Sequence, residues 1–295
     1  MSFASLKKAS SQGNTFARLT KEIEKLNSPT QGNTGADERL WKPELDKSGN
    51  GYAVIRFLPA PDGEDLPFAK VWSHAFKGPG GQWYIENSLT TLNQKDPVSE
   101  ENTRLWNTGV DSDKEIARKR KRKLSYYSNI LVVSDPKHPE NEGKVFLYKF
   151  GKKIFDKITE AMQPAFEDEA AINPFDFWKG ANFKLKIRKV DGYWNYDKSE
   201  FEGVSALADN DYKIKSIWST QHALKPFLAA DNFKTYEELK EKLNRVLSGA
   251  RKTETVAVAD LPPSTNGSAK SISESPVASE DDDTMSYFSK LAEDE

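Results

Sequence analysis

The stretch NFKLKIRKV, residues 182–190, alternates almost without fault: Phe183, Leu185 and Ile187 fall on one side, Lys184, Lys186 and Arg188 on the other. Successive side chains of an extended strand point to opposite faces, whereas a helix would scatter both sets around its circumference. This pattern commits the segment to a strand with one buried and one solvated face. GYAVIRFLP, FAKVWSHAF, QWYIE, SYYSNILVV and KVFLYKF read as further strands, bounded by turn-rich DKSGNG, KGPGG and SDPKHPENEG. Helical spacing is confined to TFARLTKEIEKL, KKIFDKITEAM and YEELKEKLNRVL, the last opened by a Thr235–Glu238 capping box and stopped by Gly249. Many short strands, few helices and no strand–helix alternation predict a mainly β (α+β) chain: a β-barrel core with helical insertions.

The ends read differently. Residues 1–38 are rich in Ser, Asn, Gln and Gly, and 250–295 in Ser, Ala, Asp and Glu, so neither buries enough apolar surface to offset chain entropy. The chain therefore reads as three parts: an N-terminal basic arm over 1–38 with a short helix, a folded core over 39–249, and a disordered acidic tail over 250–295. The formal charge of −2 conceals this sorting. From Arg251 onward four bases meet ten acids, leaving +4 on the rest and −6 on the tail. With no cysteine, disulfides and thiolate metal sites are excluded. No apolar run approaches membrane-spanning length and the N-terminus lacks a signal-peptide core, so a soluble, intracellular protein is expected.

RKRKRK, residues 118–123, sets six cations directly before Tyr126 and Tyr127. Such a run repels itself unless a polyanion neutralises it, and a solvated loop or a localisation signal is the plain alternative. The pairing of cations with rings recurs, however, at Tyr148 and Lys149, and at Tyr193, Trp194 and Tyr196 after the lysine-faced strand. Basic groups neutralise phosphates, and flat rings stack on unpaired bases whatever their identity. The combination therefore points to a groove for single-stranded nucleic acid rather than a duplex reader.

Catalysis finds no support in the sequence. FGKKIFDK has the Gly-Lys pair but lacks the upstream glycine and the following Ser or Thr of a phosphate-binding loop, and His74, His138 and His222 are far apart without metal-ligand spacing. The acidic end SEDDDTMSYFSKLAEDE carries Asp281, Asp282 and Asp283 ahead of Met285, Phe288 and Leu291, whose spacing suits a helix induced on a partner protein.

The segments AVIRFLP, KRKLSYYSNILVVSDP, PENEGKVFLYKFGKKIFDKI and GANFKLKIRKVDGYWNYDKSEF resemble the single-stranded DNA-binding, helix-destabilising proteins of T-even-type bacteriophages over roughly residues 40–202. The resemblance implies an OB-fold core whose basic, aromatic-lined cleft holds single-stranded DNA. It implies an N-terminal arm for head-to-tail cooperative binding, an acidic tail that recruits replication and recombination proteins, and a location in the cytoplasm of an infected bacterial host. By the same resemblance the basic motif maps to Lys121, Arg122, Lys123 and Ser125, with Tyr126 and Tyr127 following. Further DNA contacts map to Arg56, Tyr148, Tyr193 and Tyr196, Trp106 stands where the family tends to place a tyrosine, and the arm motif maps to Lys7, Lys8 and Ser10. Two rival readings are a single-stranded RNA-binding regulator and a replisome adaptor acting mainly through its tail.

The family's best-known members hold a structural zinc on one histidine and three cysteines. His74 resembles that histidine, but NSLTTLNQKDPVSEENTRLW supplies no cysteine. A single imidazole does not make a tetrahedral site. The expectation is a metal-free core in which His74 is an ordinary side chain.

Overall fold

The structure, a computed structural model, describes residues 37–190 and 192–249. The arm residues Lys7, Lys8 and Ser10 and the tail residues Asp281, Asp282, Asp283, Phe288 and Leu291 lie outside the described residues. The chain divides by contacts into residues 1–40 and 41–295, and the hydrophobic cores lie wholly in the second unit.

The strands are β1 (Leu40–Trp41), β2 (Gly51–Phe57), β3 (Phe68–Lys77), β4 (Trp83–Asn87), β5 (Lys123–Ser134), β6 (Val145–Phe150), β7 (Gly180–Val190), β8 (Tyr193–Asn195) and β9 (Glu200–Ser205). They pair in the order β1-β6-β5-β2-β7-β8, with β3 joining β4 and β5, and β9 joining β7. The helices are α1 (Pro97–Asn107), α2 (Asp111–Lys119), α3 (Lys152–Met162), α4 (Asp211–Ser219) and α5 (Tyr236–Ser248). The chain is thus mainly β with helical insertions, as its patterning predicts.

β5 organises the sheet. Its first half, through Ser128, pairs antiparallel with β3, and its second half, from Ile130, pairs along the same edge with β2. Its other edge takes β6, from Tyr126 opposite Phe150 to Leu131 opposite Val145. β3, its partner, links two cores: Phe68 packs against the main one and Phe76 belongs to a second. In the main core Phe57 packs against Phe150, Phe175, Phe183 and Phe201 at centroid distances of 5.5 to 6.4 Å, and Ile154 and Ile158 of α3 close it. The second core gathers Phe76, Tyr84, Leu89 and Val98 against Leu239, Leu243 and Val246 of α5. Each such side chain, fully buried, contributes roughly 1.5–3 kcal/mol.

α5 begins with the Thr235–Glu238 capping box and ends at Gly249, whose φ of 70° suits the left-handed cap. Gly78 has a tertiary role beyond its hairpin turn. A Cβ there would stand 2.2 Å from the Val246 carbonyl oxygen, so only glycine lets the β3–β4 turn lie against the end of α5.

Three helices escape the periodicity argument. α1 starts where Asp96 accepts the Val98 and Ser99 N–H groups ahead of Pro97, a legible N-cap. α2 has Asp111 and Asp113 in its first turn and Arg118 and Lys119 in its last, matching the helix dipole. The cationic run is therefore not one loop: it spans a helix end, its cap at Arg120, and the first residue of β5. Among the described residues no helix is long and apolar enough to cross a membrane.

Candidate nucleic-acid interface

Alternation along β3 puts Lys70 and Trp72 on one face, and Trp72 stands opposite Leu124 of β5. Arg122, two residues before Leu124, lies over the Trp72 ring with its Cζ 4.2 Å from the centroid, and Lys70 Nζ sits 5.5 Å from the same ring. Arg120 lies 5.6 Å above Phe76, and Arg118 5.5 Å from Trp106 on α1. On β5 and β6, Lys149 Nζ stands 5.7 Å from the Tyr127 ring, which stacks on Phe227 at 4.2 Å and 19°. A cation over an aromatic face gains roughly 0.5–1 kcal/mol and keeps its charge.

Charge in this segment is not cancelled locally. Arg118 pairs with Glu115 at 3.1 Å, but among the described residues Arg120, Lys121, Arg122 and Lys123 have no carboxylate within ion-pair reach. Burial lowers the Arg120 pKa from its ordinary value, and the nearby Glu101 charge opposes that fall. Lys121 is exposed and Lys123 half-buried opposite Ser73. A four-residue positive segment thus runs beside a half-buried indole.

Beneath it lies a polar knot. His74 is 1% exposed and Asp96 equally so. His74 Nδ1 is 3.0 Å from the Arg120 carbonyl oxygen, which only accepts, so Nδ1 carries the proton. The same carbonyl accepts from Asn102 Nδ2 at 3.1 Å. His74 Nε2 lies 3.2 Å from Asp96 Oδ1, bent away from hydrogen-bond geometry, and forms an ion pair with it when the ring carries a proton on both nitrogens. Asp96 Oδ2 accepts from Ser88 Oγ and from the Leu89 N–H. Burial alone would push the Asp96 carboxyl up; the contacts with His74, the Ser99 N–H and Ser88 outweigh it and hold the group at about 2.

A zinc ion does not fit this donor set. His74 Nδ1 is held by the Arg120 carbonyl, Nε2 faces a carboxylate whose two oxygens both accept backbone N–H groups, and the sequence has no cysteine. Among the described residues no three His, Cys, Asp or Glu side chains converge to hold a metal. His74 has a structural place: its hydrogen bond to the Arg120 carbonyl ties β3 to the end of α2.

The description "gp32 DNA binding protein like" matches residues 49–247. The chain belongs to that family. It is 42% identical over 243 residues to the protein named single-stranded DNA-binding protein of Enterobacteria phage T4, covering 79% of this chain and 78% of that one. The namesake from Enterobacteria phage T2 matches with the same identity and coverage. That of Enterobacteria phage RB70 is 41% identical over 115 residues, covering 38% of this chain and 94% of that protein.

Several residues singled out from the sequence are buried, not on the surface. Tyr126 is 5% exposed and stacks flat on Phe155 at 4.0 Å, because it faces the main core while its neighbour Tyr127 faces out. Tyr148 is buried with its ring edge-on to Trp41 at 5.5 Å, and Tyr196 is buried in the same core. Those three offer no open stacking face. Arg56 has no exposed surface: Nη2 donates to the carbonyls of Asp176 and Ser205 at 3.0 and 2.8 Å, and Nη1 reaches Ser205 Oγ at 3.4 Å. It fastens β2 to β9 and the loop before β7. Burial lowers its pKa, partly countered by the charge of Asp176.

The lysine-faced strand also departs from expectation. Lys184 pairs with Glu202 at 3.0 Å, Lys186 with Glu200 at 2.8 Å, and Arg188 with Asp197. Those charges are spent within the sheet. Tyr193 is exposed on β8, which pairs with β7 and is separated from β5 by β7 and β2. Of the residues named from sequence, the structure brings together Lys121, Arg122 and Lys123 at the α2–β5 junction, Tyr127 with Lys149, and Trp106 with Arg118. It adds Lys70, Trp72 and Phe227, which sequence reasoning missed. The signal for the first two was the spacing Lys-x-Trp inside FAKVWSHAF.

Proposed function

We propose that this chain binds single-stranded DNA cooperatively and largely without regard to sequence, coating and protecting transient single strands during phage DNA replication, repair and recombination. The observation that carries the proposal is the segment Arg120–Lys123, without a carboxylate in ion-pair reach among the described residues and laid beside the half-buried Trp72 ring. Lys121, Arg122 and Lys123 take phosphates, while Trp72, Tyr127 and Trp106 supply faces for unpaired bases, which duplex bases, already stacked, do not need. Preferential binding to separated strands pulls the melting equilibrium towards them by mass action. The arm residues Lys7, Lys8 and Ser10 serve head-to-tail contact between neighbours on DNA, and the acidic end serves recruitment of replication and recombination proteins.

Titration of intrinsic fluorescence with poly-dT and with duplex DNA at several salt concentrations tests this. Quenching restricted to the single strand, weakening by about 0.7 in log affinity per unit log salt for each phosphate engaged, is expected. Equal binding to duplex, or a salt-independent affinity, would overturn the reading. A matched RNA that outcompetes poly-dT would shift it to an RNA-binding regulator.

A further inference from the structure

Sequence similarity brings with it the expectation of a zinc-held subdomain, and the donor set here refuses the metal. What stands in its place is connected to the cationic segment by a short chain of contacts. Asp96 caps α1 through the Val98 and Ser99 N–H groups, holds the loop before α1 through Ser88 and Leu89, and faces His74. His74 in turn donates from Nδ1 to the Arg120 carbonyl, and Asn102 of α1 donates to the same oxygen. Arg120 is the residue at which α2 ends and the chain turns into Lys121, Arg122 and Lys123. Its guanidinium is pinned over Phe76, which stacks on Tyr84 at 5.0 Å in the second core.

We infer that His74, Asp96 and Asn102 form a metal-free positioning device that sets where the cationic segment Arg120–Lys123 lies, doing by hydrogen bonds and one buried electrostatic contact what a bound ion would otherwise do. Phosphate contacts require cations at fixed spacing along a groove, so a backbone held at the head of the segment by one buried and one half-buried donor matters more to binding than to overall stability. The inference rests on the DNA-binding reading above.

The test uses the full chain and poly-dT at several salt concentrations, with thermal unfolding measured on every protein. His74→Asn keeps an amide donor near the place of Nδ1, whereas His74→Gln carries its amide further out and loses the Arg120 carbonyl. His74→Gln combined with Asn102→Ala removes both donors. The double variant is expected to lose about tenfold in low-salt affinity and about 0.7–1.4 from the salt slope, one or two phosphates' worth. His74→Asn is expected to stay within about twofold of the parent. Parental binding by the double variant would overturn the inference, as would equal losses in His74→Asn and His74→Gln that simply follow melting temperature. If the double variant does not fold, Asn102→Ala alone decides: a reduced slope supports the positioning role and an unchanged one overturns it. Dialysis of the parent against EDTA is expected to change neither melting temperature nor affinity, and stoichiometric zinc in the purified protein would overturn the metal-free device. Failure of the parent itself to bind poly-dT with salt dependence would instead remove the functional reading, a separate outcome.

Discussion

Two runs of cations stand out in this sequence, residues 118–123 and the alternating Lys184, Lys186 and Arg188, and both precede aromatic residues. In the fold they meet opposite fates. The second lies on β7 beside β9 and the turn leading into it, where Glu202, Glu200 and Asp197 take the three charges one by one. The first runs off a helix end into β5 beside β3, whose side chains at this point are rings and small polar groups, and among the described residues its cations after Arg118 have no carboxylate within ion-pair reach. A charge answered within the protein gains little from a phosphate, because binding must first break the internal pair. A charge resting on a ring keeps its field and remains available.

The largest effect that would break this contrast is on affinity. Replacing Lys121, Arg122 and Lys123 together by Ala should lower log affinity for poly-dT by about 2 at low salt and reduce the salt slope by about 2, three phosphates at roughly 0.7 each. The matching replacement of Lys184, Lys186 and Arg188 should leave both nearly untouched; an equal loss in a fluorescence titration would erase the distinction between the runs. Next in size, Trp72→Ala should cost about 1–3 kcal/mol of binding, the worth of one stacked base, and remove part of the quenching signal. If Trp72 only pads the sheet, unfolding temperature will fall while affinity per folded molecule stays constant.

Arg56 sharpens the contrast from inside. As a buried cation bonded to two carbonyls and a hydroxyl, its replacement by Met should destabilise the fold by about 1–3 kcal/mol through unsatisfied acceptors. The salt slope of DNA binding should be unchanged, and urea unfolding beside a salt titration separates the two. Smaller again is the acid limb of stability. Asp96 has its folded pKa depressed from 3.8 to about 2, so its contribution is complete above about 4 and is lost as pH falls towards 2. Asp197, Glu200 and Glu202 are depressed too, chiefly by their hydrogen bonds to Arg188, Lys186 and Lys184. They face solvent, so added salt should flatten their part of the acid transition but not that of buried Asp96. Asp96→Asn, with unfolding measured between pH 2 and 5, should remove the salt-insensitive part alone.

The strands were legible because period-two alternation needs no knowledge of neighbours. Phe183, Leu185 and Ile187 had to face inward together once any of them did, and the Thr235–Glu238 box had to start a helix. Capping residues announced α1 as well, at Asp96 and Pro97, yet its short and weakly apolar face hid it from periodicity. The division of Tyr126 from Tyr127 was also readable, since adjacent strand residues face opposite ways; which of the two faced inward was not.

What the sequence determined by itself, then, is the mainly β core, the clustering of positive charge and the absence of thiol ligands. Only tertiary structure decided which cations are answered by carboxylates, that Arg56, Tyr148 and Tyr196 are interior, and that His74 meets Asp96 and the Arg120 carbonyl. The reason is physical: alternation and capping act within a few residues, whereas the partner of a charge is fixed by which strand lies alongside it, and β3, β5 and β9 are brought to their places by contacts far apart along the chain.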